Sequence, residues 1–537
     1  MELTRYGFVI DHRKCIGCHA CTVACKSEND VPLGVFRTWV KYVEKGTFPN
    51  TRRYFTIERC QHCEDAPCVE ICPTVALHKR PDGIVDFDSD RCIGCKACMQ
   101  ACPYDALYID PRSHTAAKCH YCAHRTDRGL LPACVIVCPT EAIIAGDLED
   151  PTSEIAQTLA RQQVQVRRPD QGTRPQVYYV GADETAITPG LAIQPPQYLW
   201  AQRGPAGVDL EPKGSLLELA QRTGGTPETP PARWPEMDLA PPAATTTHAV
   251  TVYDVAHPKP WGKKVSSYLW TKSIAGGALA VAGPLLAAGL ASTLLTLGAA
   301  VLAVLFTALT AALLVWDLKR PERFWRVVLT PNRRSWLVWG AYILMLYGLA
   351  SAAWFIAGLA GGSSVPAPLL WLGVVLGVAA AGYSAFLFGQ AEGRDFWQSS
   401  LLLWQLLGAA ALAGAGALAV LGAIFEVSNV AVLAALGGIL LGSILVTLGI
   451  VVAELYLPHA NKDVATAAAI IKHGPLAREF WLGYVLLGAV VPTVLLAAAL
   501  GAGWPLWWVA IAGLAALAGL WFYEDTWIRA GQSVAMS

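Results

Sequence analysis

Residues 15–26, CIGCHACTVACK, place four cysteines within eleven residues, separated by two, two and three residues. The same spacing returns at residues 92–103, CIGCKACMQACP. This C-x2-C-x2-C-x3-C run is typical of bacterial [4Fe–4S] proteins, in which three cysteines bind one cube and the fourth binds a second cube. Each group of four therefore serves two cubes, and the groups are expected to occur in pairs.

All 16 cysteines of the 537-residue chain fall into four groups of four, two of which have this spacing, and none is left over. Their tight and regular spacing argues against disulfides and favours metal ligation in a reducing compartment. Structural zinc is the alternative, because C-x2-C pairs are common zinc ligands, but three close cysteines with a distal fourth fit a cube better. The groups are Cys15, Cys18, Cys21 and Cys25; Cys60, Cys63, Cys68 and Cys72; Cys92, Cys95, Cys98 and Cys102; and Cys119, Cys122, Cys134 and Cys138.

The flanks of the groups repeat as well. Short apolar strands are predicted before three groups, at YGFVID, RYFTIERC and GIVDFD. After three Cys-Pro pairs, the segments TVAL, YDAL and TEAI predict a turn and a return strand. A repeat of about 30 residues with this pattern predicts two ferredoxin-like lobes.

Two segments carry a resemblance to a known family. CQHCEDAPCVEICPT (residues 60–74) and CHYCAHRTDRGLLPACVIVCPTEAI (residues 119–143) resemble the four-cluster iron–sulfur subunit of molybdopterin oxidoreductases that act on dimethyl sulfoxide, polysulfide, formate or nitrate. The resemblance covers residues 5–150 and implies four [4Fe–4S] clusters. The implied ligand sets are Cys15, Cys18, Cys21 and Cys138; Cys119, Cys122, Cys134 and Cys25; Cys60, Cys63, Cys68 and Cys102; and Cys92, Cys95, Cys98 and Cys72.

The second half of the chain is apolar and contains long runs without charge. A membrane-spanning helix needs about 20 apolar residues. Eight helices are predicted, at residues 267–290, 294–316, 335–361, 367–391, 398–424, 429–454, 480–501 and 505–524.

The predicted fold is an α+β double ferredoxin-like iron–sulfur head followed by an all-α eight-helix transmembrane bundle. Residues 1–150 form the four-cluster domain, 151–264 an extended Pro-rich connector, and 265–537 the membrane domain. Within the connector, DPTSEIAQTLAR predicts a helix that starts near Asp150 or Thr152, and QVYYVG predicts a strand. The remainder is rich in Pro, Thr and Ala and is expected to be extended, either as a strap on the head or as a plain linker.

The basic residues of the membrane domain indicate its orientation. Every Lys and Arg after residue 258 is predicted at the helix ends that the head shares, so the positive-inside rule predicts a cytoplasmic head. The N-terminus also lacks a signal-peptide pattern. We therefore expect a multi-pass protein of a bacterial or archaeal cell membrane. Charge is balanced, 41 basic against 41 acidic residues, and no nucleic-acid partner is predicted.

The membrane domain resembles the NrfD-like subunit of polysulfide reductase over residues 265–537. LVWDLKRPERFWRVVLTPNRRSWLVWGAY, GYSAFLFGQAEGRDFW and IRAGQSVAMS carry this resemblance. It implies that the domain reacts with a quinone, either menaquinone or ubiquinone. No haem is expected, because none of the four histidines beyond the head, His248, His257, His459 and His473, lies in a predicted helix.

Polar side chains near the head-side helix ends are the candidates for quinone binding, because polar groups within membranes are usually functional. Quinone chemistry moves two protons with two electrons, so a carboxylate is expected at the site. The alternative for each carboxylate is an ion pair with a neighbouring arginine. The candidates are Tyr268, Lys272, Asp317, Tyr383 and Glu392.

These features predict an electron-transfer and quinone-reacting subunit of a membrane-bound oxidoreductase. Four clusters would connect a molybdopterin-containing catalytic partner with the quinone pool of the lipid bilayer. The chain has no segment large enough for molybdopterin chemistry, so this partner is expected to be a separate subunit. Two alternatives are a hydrogenase or multihaem cytochrome as the partner, and a subunit of a redox-driven ion pump.

Overall fold

The structure is a computed structural model that describes residues 4–47, 49–193, 249–361, 364–425, 429–503, 505 and 507–537. About half of the predicted connector, residues 194–248, lies outside the described residues, and so does His248. The described chain forms a head of short strands and helices and a bundle of long helices.

The head contains two larger sheets and two hairpins. The first sheet has the strand order β8-β1-β10-β9, the second has the order β11-β2-β3, and β4-β5 and β6-β7 form the hairpins. The strands are β1 Tyr6–Asp11, β2 Thr38–Lys45, β3 Arg52–Arg59, β4 Leu77–Lys79, β5 Val85–Phe87, β6 Leu107–Ile109, β7 Ala116–Lys118, β8 Ile143–Asp147, β9 Val164–Gln165, β10 Val177–Val180 and β11 Ala249–Tyr253.

The strands predicted around the cysteine groups are confirmed. YGFVID is β1, RYFTIERC contains most of β3, and GIVDFD contains β5. The predicted return strands begin at Leu77, Leu107 and Ile143. Because β1 pairs with β8 antiparallel, with Val9 opposite Ile144, the start of the head is joined to the end of its fourth cysteine group.

Short helices follow the cysteine loops and pack on the sheets. The helices of the head are α1 Ala20–Glu28, α2 Pro67–Glu70, α3 Ala97–Ala101, α4 Ala123–Thr126, α5 Ala133–Ile136, α6 Glu154–Arg161 and α7 Glu184–Ile187. The helix predicted in DPTSEIAQTLAR is α6. Its N-terminal cap is Ser153, one residue after the predicted Thr152, and the Ser153 side chain accepts a hydrogen bond from Ala156 N.

The described parts of the predicted connector lie on the head. Strand β10, which QVYYVG predicted, pairs with β1 in parallel, with Phe8 opposite Val177. Strand β11 pairs with β2 antiparallel, with Ala249 opposite Lys45. The three-segment division of the chain stays a prediction, but both described ends of the connector contribute strands to sheets of the head.

The bundle is built from eight long helices. In the described part of the chain, seven of them are long and apolar enough to cross a membrane. The last helix, which carries Glu524, Asp525 and Arg529 near its end, does not meet the same requirement of length and apolar composition. The eighth span therefore stays a prediction. The long helices are α8 Lys263–Ala287, α9 Leu294–Asp317, α11 Trp336–Gly361, α12 Ala367–Gly389, α13 Leu402–Ile424, α14 Val430–Tyr456, α16 Glu479–Gly501 and α17 Trp508–Gly531, and the shorter ones are α10 Arg326–Leu329 and α15 Lys462–Lys472.

Helix α8 occupies the centre of the bundle and crosses α13 at a close backbone contact. A methyl group added at Gly277 of α8 would lie 1.8 Å from the backbone oxygen of Ala410 and 2.9 Å from the backbone nitrogen of Gly414. Membrane helices approach this closely only where small residues face each other, since packing rather than hydrophobic burial holds them together.

We expect Gly277→Ala to destabilise the bundle by about 1–3 kcal/mol, because the new methyl group meets rigid backbone rather than a movable side chain. The change is measured as the thermal unfolding temperature of the purified protein in detergent. Gly438→Ala on α14 is the control, because no atom lies within 4 Å of the added group. Equal unfolding temperatures for the two variants would contradict the close crossing.

Candidate functional site

The two cysteine stretches quoted first share one backbone conformation. Gly17 and Gly94 have φ of 70° and 68°, and the residues two positions later, His19 and Lys96, have φ of 60° and 65°. These left-handed residues turn each loop so that its cysteines face inward. A methyl group at Gly17 would lie 2.4 Å from the ring of Phe55, so the loop also needs glycine for close packing.

Three cavities in the head are each lined by four cysteines drawn from two different groups. One is lined by Cys15, Cys18, Cys21 and Cys138. A second is lined by Cys25, Cys119, Cys122 and Cys134. The third is lined by Cys72, Cys92, Cys95 and Cys98. These are three of the four ligand sets that the sequence predicts.

The fourth predicted set, Cys60, Cys63, Cys68 and Cys102, is also brought together. Burial, together with the charges of Cys60 and Cys102, raises the pKa of Cys63. Burial and the same two neighbours raise the pKa of Cys68 well above its usual value. The long-range pairing of the groups therefore agrees with the fold, although the ligands of each centre stay predictions.

The surroundings of the cysteines fit an iron–sulfur cube. Sulfur atoms accept backbone hydrogen bonds: Cys92 Sγ from Gly94 N at 3.4 Å and Ala116 N at 3.3 Å, and Cys138 Sγ from Ala142 N at 3.2 Å. Such bonds stabilise thiolate ligands. Among the described residues, no three His, Cys, Asp or Glu side chains meet closely enough to hold a single metal ion.

Histidines near the cysteines act as hydrogen-bond partners. The ring nitrogen Nδ1 of buried His62 accepts a bond from Val85 N at 3.2 Å. Burial lowers the pKa of His62 well below its usual value, so the ring stays neutral and can accept this bond. Burial also lowers the pKa of His120, to about 3.

One of the four cysteine sets lies at the surface of the head, and another borders the bundle. Cys18 is exposed, and Cys15 and Cys138 are half-buried, so the first set lies at the surface. At the other end, the set with Cys92 and Cys95 borders the bundle, because Arg320 N donates to Ile93 O at 3.1 Å and Lys319 N donates to Gly94 O at 3.2 Å.

Asp317, a predicted quinone residue, lies at this junction. Its carboxylate forms a 2.7 Å ion pair with Lys96, which stands between Cys95 and Cys98. The alternative expected for Asp317 was an ion pair with a neighbouring arginine. The structure instead shows an ion pair with a lysine of the head. Arg323 and Arg394 also bind the head, through Ser89 O at 2.8 Å and Gln100 Oε1 at 2.8 Å.

Tyr268, Lys272 and Tyr383 meet inside the bundle. Lys272 was counted among the basic residues at the helix ends, but it is fully buried within α8. Its Nζ donates to Ala381 O at 2.9 Å and to Ser384 Oγ at 2.7 Å, and it lies 5.0 Å from the centre of the Tyr383 ring. Tyr268 is also buried and lies one helical turn before Lys272 on α8.

Glu392 lies apart from this group, in the turn after α12. Burial and the charges of Glu70 and Asp65 on the head raise the pKa of Glu392. It therefore faces acidic residues of the head. Its assignment to a quinone site stays a prediction.

Two buried polar residues were missed by the sequence reasoning. Glu524 is 4 % exposed and belongs to the last helix, α17. Gln405 is 2 % exposed, and both of its amide atoms lack a hydrogen-bond partner within the described part of the chain. The sequence did contain a pattern that could have identified them, because each is a polar residue within or next to an apolar run.

His257 ties the chain before the bundle to the head. It forms ion pairs with Asp105 and with Asp254. Burial opposes its charge, but the hydrogen bonds to Asp105 and Asp254 raise the pKa of His257 to about 10.

The ion pairs of His257 with Asp105 and Asp254 predict that the stability of the protein depends on pH. Because the folded pKa lies above the unfolded value of about 6.5, the stabilisation is fully present below about pH 6.5 and is lost as the pH rises through about 10. We expect the difference in unfolding temperature between the native protein and His257→Gln to shrink over that range. A constant difference from about pH 6 to pH 10 would contradict the assignment of the charge to His257.

Comparison with known families places both parts of the chain. Residues 251–535 match the family described as polysulphide reductase, NrfD. Residues 51–148 match a 4Fe-4S dicluster domain, and residues 13–30 match a 4Fe-4S binding domain. The match to NrfD covers 285 of 537 residues, more than half of the chain.

Known relatives resemble the head. One subunit of the tetrathionate reductase of Salmonella typhimurium is 45% identical over 202 residues, which are 37% of this chain and 80% of the relative. One polypeptide of the polysulfide reductase of Wolinella succinogenes is 42% identical over 181 residues, which are 33% of this chain and 94% of the relative. The iron–sulfur subunit of the arsenate respiratory reductase of Shewanella is 34% identical over 224 residues, 33% of this chain and 96% of the relative.

The family matches agree with the structure, in which cysteine-lined cavities in the head are followed by an apolar helix bundle. The relatives named here are subunits of reductases, and their similarity covers about a third of this chain. The chain is a membrane protein of the polysulphide reductase NrfD family that carries a 4Fe-4S electron-transfer head in the same polypeptide.

Proposed function

We propose that this chain is the electron-transfer and quinone-reacting subunit of a membrane-bound molybdopterin oxidoreductase. Four [4Fe–4S] clusters would pass electrons between a catalytic partner subunit and the quinone pool. The observation that carries the proposal is that one cysteine set lies at the exposed surface, with Cys18, and another lies at the bundle, beside the Lys96–Asp317 ion pair. The four sets would form a series between these two ends. A bound cluster supplies one-electron transfer, and the chain supplies its ligands and spacing.

The exposed end of the series suits a protein partner. Ile16, Val23 and Ile136 are 57%, 65% and 58% exposed beside the cysteines of the first set. An exposed apolar surface of this kind is typical of a protein interface. The relatives named above are subunits of reductases, and this supports a catalytic partner at that end.

The inner end suits a quinone. Tyr268 and Tyr383 offer phenol groups, and Lys272 offers a cation held by Ser384 Oγ and Ala381 O. These groups can hydrogen-bond a quinone oxygen and hold a proton beside it. Asp317, at the head-side end of α9, is the carboxylate through which a proton would pass toward water. Together they let two electrons leave through the head while two protons leave separately.

Purification of the complex from its native membrane tests the proposal. We expect about 16 iron atoms per chain, as four cubes require, with molybdenum or tungsten in a co-purifying subunit. Nickel, or covalently bound haem, in that subunit would overturn the molybdopterin assignment in favour of a hydrogenase or multihaem cytochrome. Reduction of the clusters by a quinol under anaerobic conditions tests the inner end separately.

The orientation is tested on sealed membrane vesicles. We infer that the head faces the cytoplasm, because the basic residues at the helix ends gather on its side. Protease added outside right-side-out vesicles is then expected to leave the head intact. Cleavage within the head by this protease would contradict the orientation.

A further inference from the structure

Arg59 is a fully buried cation at one of the cysteine-lined cavities. It is the last residue of β3 and 0 % exposed, and it lines the cavity formed with Cys25, Cys119, Cys122 and Cys134. Its guanidinium lies 4.3 Å from the centre of the Phe8 ring, which forms another wall of the same cavity.

The guanidinium has few partners. Nη2 donates to Thr38 Oγ1 at 3.3 Å, while Nε and Nη1 are buried without a hydrogen-bond partner among the residues that the structure describes. The adjacent acidic residue, Glu58, forms its ion pair with Arg167 instead. No Asp or Glu appears among the described residues that line the cavity.

A buried arginine needs negative charge nearby. Its side chain does not give up its proton in proteins, and an uncompensated buried charge costs several kcal/mol. The groups of this cavity that can carry negative charge are the four cysteine sulfurs and whatever they bind. The N–H groups on Nε and Nη1 of Arg59 are therefore suited to an anionic centre in the cavity.

We propose that Arg59 sets the reduction potential of the centre held by Cys25, Cys119, Cys122 and Cys134, and that it holds this potential high. The inference rests on the proposed function, which assigns a [4Fe–4S] centre to these cysteines. One electron, given up by a neighbouring centre of the same chain, adds one negative charge to the cavity. A fixed positive charge beside the cavity favours the state that carries this charge.

Arg37 lines the same cavity and provides a matched control. It is half-buried, and its nitrogens contact Tyr108 Oη at 3.3 Å, Asn29 Oδ1 at 3.3 Å and His120 Nδ1 at 3.1 Å. Solvent and these partners screen its charge more than that of Arg59. The two arginines thus share type and cavity but differ in burial.

The test is an EPR-monitored redox titration of the purified full-length protein and its Arg59→Met, Arg59→Gln, Arg59→Lys and Arg37→Gln variants, with iron content measured in parallel. Cys122→Ser identifies the signal of this centre. In Arg59→Met and Arg59→Gln, we expect the ratio of oxidised to reduced centre, measured at the native midpoint potential, to rise about tenfold. This corresponds to a downward shift of the midpoint potential of about 59 mV for one electron. We expect Arg59→Lys and Arg37→Gln to change this ratio less than about threefold.

Two results would overturn the proposal. One is an unchanged midpoint in Arg59→Met or Arg59→Gln at full iron content. The other is loss of iron from both variants while Arg59→Lys loads fully, since Arg59 would then serve assembly rather than potential. A native protein without any [4Fe–4S] signal would instead refute the proposed function itself.

Discussion

Replacing Lys272 by methionine is expected to slow the reduction of the head by a quinol about 100-fold, the range that loss of a positioned proton-transfer group produces. Lys272 is the one fully buried lysine of α8, and it is held by Ala381 O and Ser384 Oγ beside the Tyr383 ring. Methionine keeps the length of the side chain but removes the charge and both hydrogen bonds. The rate is measured by anaerobic stopped-flow absorbance of the clusters.

Lys264→Met is the matched control, about two turns earlier on the same helix. Lys264 lies at the exposed end of α8, where its Nζ donates to Trp316 O at 3.2 Å. We expect its rate within about twofold of the native one, because this half-buried lysine contacts Trp316 rather than the group around Tyr383. Chemical reduction by dithionite should be equally fast in both variants. A native quinol rate in Lys272→Met would remove Lys272 from the site.

Replacing Cys95 by serine is expected to uncouple the head from the quinone. Cys95 lines the cavity beside the bundle, and its carbonyl accepts a hydrogen bond from Trp261 Nε1 at 3.4 Å. Loss of that centre would leave about 12 of about 16 iron atoms per chain and remove the step closest to the bundle. A quinol should then fail to reduce the other centres, while dithionite still reduces them.

Cys18→Ser, at the exposed end of the series, is the control for the opposite direction. We expect a quinol to reduce its remaining centres at the native rate, because the inner end is intact. Transfer to the partner subunit should be lost instead. If Cys95→Ser and Cys18→Ser behaved alike toward a quinol, the order of the centres along the head would be wrong.

The four cysteine groups and most helices could be predicted because their signals are local, whereas the pairing of the groups into ligand sets was implied only by the resemblance to a known family. Spacing within a group determines which cysteines can share one loop, and unbroken apolar runs mark the spans. The strand pairing of β11 with β2 could not be predicted, because a five-residue strand carries too little pattern to identify a partner about 200 residues earlier.

Contacts between the head and the bundle could not be predicted from the sequence either. Lys96 and Asp317 are 221 residues apart, and their pairing depends on how the head sits on the bundle. The last helix was predicted to end at residue 524, because charged residues were taken as its limit. It continues to Gly531, since Glu524 and Asp525 are buried within the bundle rather than exposed at its edge.

The place of β11 in the head affects the order of events during synthesis. Residues 249–253 complete the sheet that begins with β2, and α8 starts only ten residues after them. When a ribosome has made the last strand of the head, the first membrane helix is about to follow. The sheet that begins with β2 therefore cannot be completed until synthesis has reached the residues just before the first membrane helix.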